Sequence, residues 1–201
     1  MSKSWGLIFF MVSTFSFSQD IESEVWSKIE YSYKLNKKNS ISLESGARYT
    51  MSPVLFSKQF LDFSSSYKIN NSLSIENGIR LTKVPNQKLL GKRLYFTIFY
   101  KPDLGRLKFS WRSRFFTEKH VVSYNRQYFR NKISVGYKFR DIFNPYFDFE
   151  YLCGMNDLSQ NKSRFGIGNQ FQFSKSIGLK IFFRMQNKDK RIFGLYISKK
   201  F

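Results

Sequence analysis

The sequence offers little from which a disulfide framework, a metal centre or a membrane-spanning helix could be built. Cys153 is the only cysteine, so an intramolecular disulfide is excluded. His120 is the only histidine, and one histidine with one cysteine does not make a metal site, so neither a metal nor a cofactor is expected. Beyond the N-terminal segment, no run reaches the roughly 18 apolar residues of a transmembrane helix. A helical membrane protein is therefore excluded.

Acidic residues are also scarce, whereas basic and aromatic residues are abundant. The 201 residues include 34 Lys and Arg against 14 Asp and Glu, which gives a formal net charge of +20. Aromatic residues make up 19% of the chain, with 24 Phe, far above the usage of ordinary soluble proteins. Such a charge indicates nucleic acid or an anionic membrane surface as a partner. The rings indicate an apolar environment large enough to accept them.

The first 18 residues are predicted to be a secretory signal peptide. Lys3 makes the start positive, residues 5–12 are mostly apolar, and the small residues Ser16 and Ser18 precede the expected cleavage point. The alternative, a buried N-terminal strand, fits these flanking residues less well. Cleavage after Ser18 leaves residues 19–201 as the mature, exported chain.

Two stretches repeat nearly the same sequence, YKLNKKNSISLESGARYT from Tyr33 and YKINNSLSIENGIRLT from Tyr67. In both, apolar and polar residues alternate with the two-residue period of a strand. An Asn-rich turn joins each of these runs to an alternating run before it, so the repeated unit is a β-hairpin. Looser copies follow Tyr100, Tyr137 and Phe173.

The alternation continues as eleven runs, most of them near the length of about 9–11 residues that a tilted transmembrane strand needs. One face of each run is long and aromatic and the other carries charge, which is typical of a barrel with lipid outside and polar groups inside. A solenoid or propeller would instead bury its apolar residues between repeats. Since every backbone polar group must be paired within a bilayer, a closed barrel is the only strand architecture that can cross it. The runs cover residues 24–35, 40–50, 60–69, 72–82, 92–101, 106–116, 126–139, 145–153, 163–173, 177–186 and 191–201.

We therefore predict an all-β fold, a closed antiparallel transmembrane β-barrel over residues 19–201. Single-chain bacterial barrels normally have an even number of strands, so the predicted count is 10 to 12. Longer segments such as MSPVLFSKQ and TEKHVVSYN alternate with shorter connections, which predicts short periplasmic turns and longer extracellular loops. The final run ends in Phe201 and resembles the strand that the barrel-insertion machinery of Gram-negative outer membranes recognises, although Lys199 interrupts its apolar face.

Several motifs resemble those of the small outer-membrane barrels of domain-of-unknown-function family 2490. They include a first strand with Trp26, the turn YKLNKKNS, the strand ESGARYT, YFR at 128–130, RFGIGNQF at 164–171 and the terminal Phe. The resemblance implies an outer-membrane location and a barrel fold. It implies no reaction and no active site.

Strand parity places fourteen Lys or Arg residues and six Asp or Glu residues inside the barrel. Small barrels fill their interiors with paired charged side chains, so we interpret this set mainly as a structural ladder, with Glu44 and Arg48 recurring at the same spacing as Glu76 and Arg80. Pairing leaves the positive excess unexplained, and a narrow anion-preferring conduit stays open as the function. The candidate lumen residues are Glu44, Arg48, Glu76, Arg80, Arg112, Arg114, Asp148, Glu150, Arg164 and Arg184.

Two other functions are consistent with parts of the sequence. A barrel-borne lipid-modifying hydrolase or acyltransferase would need His120 as its base, with Ser123 nearby, but no surrounding motif supports it. A secreted nucleic-acid-binding β protein would place its aromatic residues beside Lys and Arg. Parity instead puts Phe147 and Phe149 opposite Asp148, so no nucleic acid is expected as a partner.

The remaining basic residues are expected in or near the longer connections. If these face outwards, their side chains meet lipopolysaccharide, whose phosphates are suitable partners for Lys and Arg. Outer-membrane lipid and lipopolysaccharide are therefore the expected partners. The candidate contacts are Lys88, Lys92, Arg93, Lys188 and Lys190.

Overall fold

The computed structural model describes residues 22–51, 53–85, 90–119, 126–139, 143–155, 158–187 and 189–201. None of these segments forms a helix of the length and apolarity that a bilayer crossing needs. The strands are β1 (Glu22–Lys34), β2 (Asn39–Met51), β3 (Val54–Lys68), β4 (Leu73–Lys83), β5 (Gly91–Tyr100), β6 (Asp103–Leu104), β7 (Leu107–Lys119), β8 (Arg126–Tyr137), β9 (Phe143–Gly154), β10 (Lys162–Gln172), β11 (Ile177–Gln186) and β12 (Lys190–Lys200), with one 3₁₀ turn at Leu158–Gln160.

Eleven of these strands close into a barrel, which confirms the predicted fold. Each long strand pairs with its sequence neighbour, β5 pairs with β7, and β1 pairs with β12 to close the sheet. The two-residue strand β6 pairs only with the start of β7 and lies outside the closed ring. The signal-peptide prediction concerns residues 1–18, which lie outside the described residues.

One ladder departs from the predicted antiparallel barrel. Strands β1 and β12 are parallel, in a register that runs from Glu22 opposite Lys190 to Ser32 opposite Lys200. The expectation of antiparallel pairing throughout was wrong here, because an up-and-down barrel with an odd number of strands must bring its first and last strands together in the same direction. Glu22 and Phe201 consequently lie at opposite rims.

The repeated hairpins have turns capped by their own side chains. The Asn36 carboxamide oxygen accepts hydrogen bonds from the backbone N–H groups of Lys38 and Asn39, and Asn70 does the same two strands later. Such local side-chain acceptors stabilise tight turns. We call the rim that carries these hairpins and Phe201 the turn rim, and the opposite one the loop rim.

The loop rim is less extended than the sequence suggested. The segment MSPVLFSKQ was expected to be a loop, but β3 already begins at Val54 and continues the ladder with β2 to Met51. The β-branched and aromatic residues of VLF favour a strand. This part of the strand was not predicted because the register is irregular between Arg48 and Tyr49, which interrupts the period-two pattern.

The two faces of the wall follow the predicted parity. Outward aromatic and aliphatic side chains are exposed, including Phe147 at 69% and Phe165 at 65%, whereas the inward Thr97 is completely buried. A continuous apolar outer face on a closed sheet is suited to lipid.

Some aromatic residues point inwards, which parity had not predicted. Each of four lies over a glycine directly opposite it on the neighbouring strand, and a Cβ at that glycine would overlap the ring. Glycine thus leaves room for a large ring to lie flat against the wall. The pairs are Phe60 over Gly46, Tyr95 over Gly78, Tyr146 over Gly168 and Phe182 over Gly194.

Candidate functional site

The inner wall of the barrel carries a network of ion pairs between strands. Glu44 on β2 binds Lys28 at 2.6 Å and Arg80 at 3.0 Å. Arg80 also donates from Nε to Asp62 at 2.6 Å, and the Tyr95 hydroxyl donates to the other oxygen of Asp62 at 2.6 Å. These contacts join five strands, from β1 to β5, through two carboxylates.

A second cluster gathers three arginines around one carboxylate. Glu150 on β9 binds Arg130 and Arg164 at 2.5 Å each and Arg112 at 3.4 Å, and its side chain is only 1% exposed. Arg164 is held further by Nε, which donates to Gln186 at 2.7 Å. One carboxylate therefore binds three guanidinium groups, and the cluster keeps a net positive charge.

Two further inward carboxylates, Asp148 and Glu76, are also bound to cations. Asp148 accepts two hydrogen bonds from Arg184, at 3.1 and 2.9 Å, and one from Lys132 at 2.8 Å. Glu76 binds Arg114 at 2.9 Å, while Arg114 Nε donates to the Thr97 hydroxyl at 2.8 Å. These contacts fix both side chains against the wall.

Inward carboxylates and arginines do form ion pairs, but the pairs cross strands. Glu44 pairs with Arg80 and not with Arg48, which follows it in the repeat, and Glu76 pairs with Arg114 and not with Arg80. Residues four apart in one strand are about 13 Å apart, whereas side chains on neighbouring strands are about 5 Å apart. The repeat spacing therefore marks equivalent positions and does not mark pairs.

Cations lie over the inward aromatic rings that cover the glycines. Arg80 stands 4.0 Å from the Phe60 ring centre, and Arg114 stands 3.8 Å from that of Tyr95. Lys180 lies 3.9 Å from the Tyr146 ring centre, and Arg184 repeats the arrangement over Phe182 at 4.2 Å. Glycine, ring and cation form a three-layer stack that fixes the position of a positive charge on the lumen surface.

Several inward cations have no carboxylate partner among the residues that the structure describes. Arg48 stacks on the Trp26 ring at 3.8 Å, and Lys180 lies over the Tyr146 ring. These two cations and Lys58 make no ion pair with any residue in the described part of the chain. Since the carboxylates named above are each bound to at least one cation, these groups carry the positive excess that pairing does not explain. They present charge to the lumen.

Two inward cations of the network remain partly accessible to solvent. Lys28 and Arg112 point inwards, yet 29% and 25% of their side chains are exposed. By contrast, the Nε groups of Arg112 and Arg130 are buried and make no hydrogen bond within the described residues. The cation side chains of the lumen are thus only partly accessible, and two of their buried donors are left without a hydrogen-bond partner in the described residues.

The residues predicted to contact lipopolysaccharide do not all lie on the same face of the barrel wall. Lys92 is exposed on the outer face of β5, whereas Arg93 points into the barrel mouth and donates to Glu118 at 2.9 Å. Lys190 also points into the mouth, binding Glu24 at 2.6 Å and Glu22 at 2.7 Å. The assignment of Arg93 and Lys190 to the outer leaflet is corrected, because neighbours along a strand face opposite sides. Lys88 and Lys188 lie outside the described residues.

The catalytic candidates of the sequence are not placed by the structure. His120 and Ser123 lie outside the described residues. Among the residues that are described, no group of three or more His, Cys, Asp and Glu side chains could hold a metal ion.

Comparison with known families gives a match over most of the barrel. The model of the family described as "Protein of unknown function (DUF2490)" matches residues 23–193. The chain belongs to this family. The comparison of this DUF2490 chain with curated proteins found no significant match.

Several solved structures similar to the DUF2490 chain are porins. The NanC porin aligns with a TM-score of 0.59 at 13% identity, over 90% of this chain and 98% of the porin. The KdgM porin in complex with disordered oligogalacturonate aligns with a TM-score of 0.55 at 16% identity, over 84% and 90% of the two chains. A further KdgM porin structure gives a TM-score of 0.53 at 14% identity. At these identities the comparisons establish a porin-like barrel fold.

Proposed function

We propose that this protein is an outer-membrane channel, a narrow conduit that prefers anions. The observation that carries the proposal is the charge imbalance of the lumen, where the carboxylates of the network are bound while Arg48, Lys58 and Lys180 have no carboxylate partner among the described residues. A passage lined by charge of one sign and enclosed by low-dielectric walls concentrates counter-ions. Rings of Arg and Lys are typical of pores for anions.

The similarity to the NanC and KdgM porins supports this proposal. One of the KdgM structures contains oligogalacturonate, a polymer of sugar acids. Small acidic solutes carry the carboxylate groups that Arg binds with two parallel hydrogen bonds. We therefore propose small carboxylated solutes as the class that the lumen accepts.

The location and orientation follow from the same proposal. The predicted signal peptide at residues 1–18 exports the chain, and the short side-chain-capped turns lie on the periplasmic side, as is usual for outer-membrane barrels. Phe201 then lies at the periplasmic rim, where it is available to the barrel-insertion machinery.

A lipid-modifying enzyme is the less favoured function. It requires chemistry from His120 and Ser123, for which the described residues supply no partner set, whereas the conduit uses groups that line the whole lumen. The porin-like fold favours the same choice.

In planar bilayers we expect small, anion-preferring currents. Under a KCl gradient the reversal potential should have the sign of chloride permeation, because the lumen is positive. Replacing Arg48 and Lys180 together by glutamine should reduce the chloride-to-potassium permeability ratio severalfold. Replacing Lys92 and Lys119, which are exposed on the outer face, removes the same charge and should change the ratio little. Large cation-selective currents from the native protein would contradict the proposal.

Lipopolysaccharide is proposed as a partner of the outer face near the loop rim. Lys92 on β5 and Lys119 on β7 are directly opposite each other, and both are exposed. Like charges in directly opposed positions destabilise a sheet. A lipid phosphate between the two ammonium groups would relieve this repulsion, and Lys88 and Lys188 are the sequence candidates for further contacts.

Replacing Lys92 and Lys119 by glutamine should roughly halve the lipopolysaccharide that co-purifies with the folded barrel. Higher salt should have a similar effect on the native protein, because the attraction is screened. The matched control replaces Lys37 and Lys38, which are exposed at the turn rim, and should leave the amount unchanged. Equal retention by both double variants would contradict this contact.

A further inference from the structure

Two inward cations near the loop rim face each other, and neither has an ion-pair partner in the described segments. Arg48 on β2 and Lys58 on β3 are directly opposite in the ladder. Like charges in such positions repel, and burial in the wall of a barrel increases the cost of an unpaired charge. Within the described chain neither side chain has a carboxylate at ion-pair distance. The arrangement is therefore electrostatically incomplete.

A β-bulge lies at the same place. Arg48 pairs with Lys58, but the next residue, Tyr49, pairs with Phe56, so that Ser57 has no partner in the ladder. Bulges occur at barrel rims and next to functional sites, where they change the direction of a side chain. The local irregularity and the like-charged pair are thus independent observations that coincide in one place.

The position of the Arg48 side chain is fixed by its contact with the Trp26 ring. Its guanidinium group lies 3.8 Å from the Trp26 ring centre, and the Trp26 indole N–H donates to Glu24 at 2.5 Å. Glu24 is in turn bound by Lys190 at 2.6 Å. Stacking uses the face of the guanidinium plane and leaves its N–H edge for a ligand.

The surroundings add positive charge. Arg164 lies 5.2 Å from the same Trp26 ring centre and repels the charge of Arg48, and Arg93 repels both Arg48 and Lys58. Glu24 attracts both Arg48 and Lys58, and Glu118 attracts Lys58. Both are already bonded, Glu24 to Lys190 and Trp26, and Glu118 to Arg93. They do not neutralise the pair.

We propose that Arg48 and Lys58 together bind one oxyanion group, a carboxylate or a phosphate, at the loop-side mouth of the barrel. The Arg48 edge supplies a two-donor fork and Lys58 supplies a third donor and a point charge. The role of this site as an entry position for a solute rests on the conduit function proposed above. Its chemistry rests only on the two side chains and their surroundings.

The test uses the full chain in detergent and two probes, sodium phosphate and sodium D-galacturonate, each titrated against sodium chloride at constant ionic strength. The readout is the unfolding temperature from heat-modifiable gel mobility, which rises when a ligand binds only the folded state. We expect a saturable rise with at least one probe. The replacement Arg48→Gln should weaken the apparent affinity at least tenfold, since it removes the charged fork.

The replacement Lys58→Glu gives a second, opposite signature. The new carboxylate can pair with Arg48, so the unfolding temperature without a probe should rise while the response to both probes disappears. The matched control Lys180→Gln removes an inward positive charge elsewhere and should keep the response. If Lys58→Glu lowered the unfolding temperature and still responded to either probe, the proposed site would be overturned.

The outcomes also separate the site from the conduit. A response to galacturonate alone, to phosphate alone or to both supports the site and identifies the oxyanion. No response to either probe in the native protein overturns the site, and anion-selective currents in that case would leave the conduit intact. A response that depends on Arg48 and Lys58 in a barrel without anion-selective current supports the site and contradicts the conduit.

Discussion

Replacing Glu150 by glutamine is expected to lower the free energy of unfolding of the barrel by about 3–5 kcal/mol, the range for breaking a buried ion pair by removing one partner. Glutamine keeps the size of the side chain but removes the charge that Arg112, Arg130 and Arg164 share. Three guanidinium groups would then lie close together on the inner wall without the nearly buried carboxylate that separates their charges. Urea titration, followed by heat-modifiable gel mobility, would measure the change.

The matched control for this prediction is Glu30→Gln. Glu30 also points inwards, but it accepts a hydrogen bond from the Ser32 hydroxyl and does not belong to an arginine cluster. Its replacement should cost no more than about 1 kcal/mol. Similar losses in the two variants would show that the Glu150 cluster is not the special stabilising element described above.

Replacing Phe96 by arginine is expected to cost about 2–4 kcal/mol, the range for Arg at the lipid face near the bilayer midplane. Phe96 is at the centre of β5, is 40% exposed on the outer face, and lies between Asn77 on β4 and Phe115 on β7. An arginine there would have to reach past several residues of apolar wall to find water. The folded fraction after refolding into vesicles, read from gel mobility, reports the effect.

The same change at Tyr100 provides a control for depth. Tyr100 belongs to the same strand and the same face, but it ends β5 at the turn rim. The cost of arginine near the membrane interface falls to about 0–1 kcal/mol. If Tyr100→Arg proved as harmful as Phe96→Arg, the outer face of β5 would not cross a bilayer in the way the parity indicates.

The strands themselves could be predicted from the sequence because alternation is a local property. The eleven runs correspond to the eleven long strands, and the bounds of β11, Ile177–Gln186, agree with the predicted run. The largest error is at β3, where a bulge interrupts the pattern between Val54 and Phe60. A bulge shifts parity by one residue, so a strict period-two pattern cannot follow the strand through it.

Pairing partners could not be predicted, because register depends on turn geometry and on strands that are distant in sequence. Arg80 pairs with Asp62 and Glu44 on the two preceding strands, 18 and 36 residues earlier in the chain. The alternation in the sequence places all three side chains inside the barrel, but it does not indicate which of them pair with each other. The same limit applies to Arg48 and Lys58, whose opposition is apparent only from the ladder.

The inward rings were missed because an aromatic residue on the polar face looks like an exception to alternation. A signal was present in the glycines. Gly46 and Gly78 occupy equivalent positions in the two repeated hairpins, and an interior strand glycine often marks a close approach by another group. Searching the adjacent strand for a ring would have indicated Phe60 and Tyr95.

The strand number shows a different kind of limit. Counting gave eleven, and the preference of bacterial barrels for even numbers argued for a neighbouring value. The parallel pairing of β1 and β12 resolves the conflict, since it closes an odd sheet without an unpaired edge.

This parallel ladder has a consequence for chemical labelling. In an ordinary even-stranded barrel, cysteines introduced at the start of the first strand and at the end of the last strand react with a membrane-impermeant reagent from the same side. Here, Glu22 and Phe201 are at opposite rims, so reagents added to the two faces of a sealed vesicle would each reach a different one. The odd sheet thus makes the two ends of the described chain independent reporters of the two sides of the membrane.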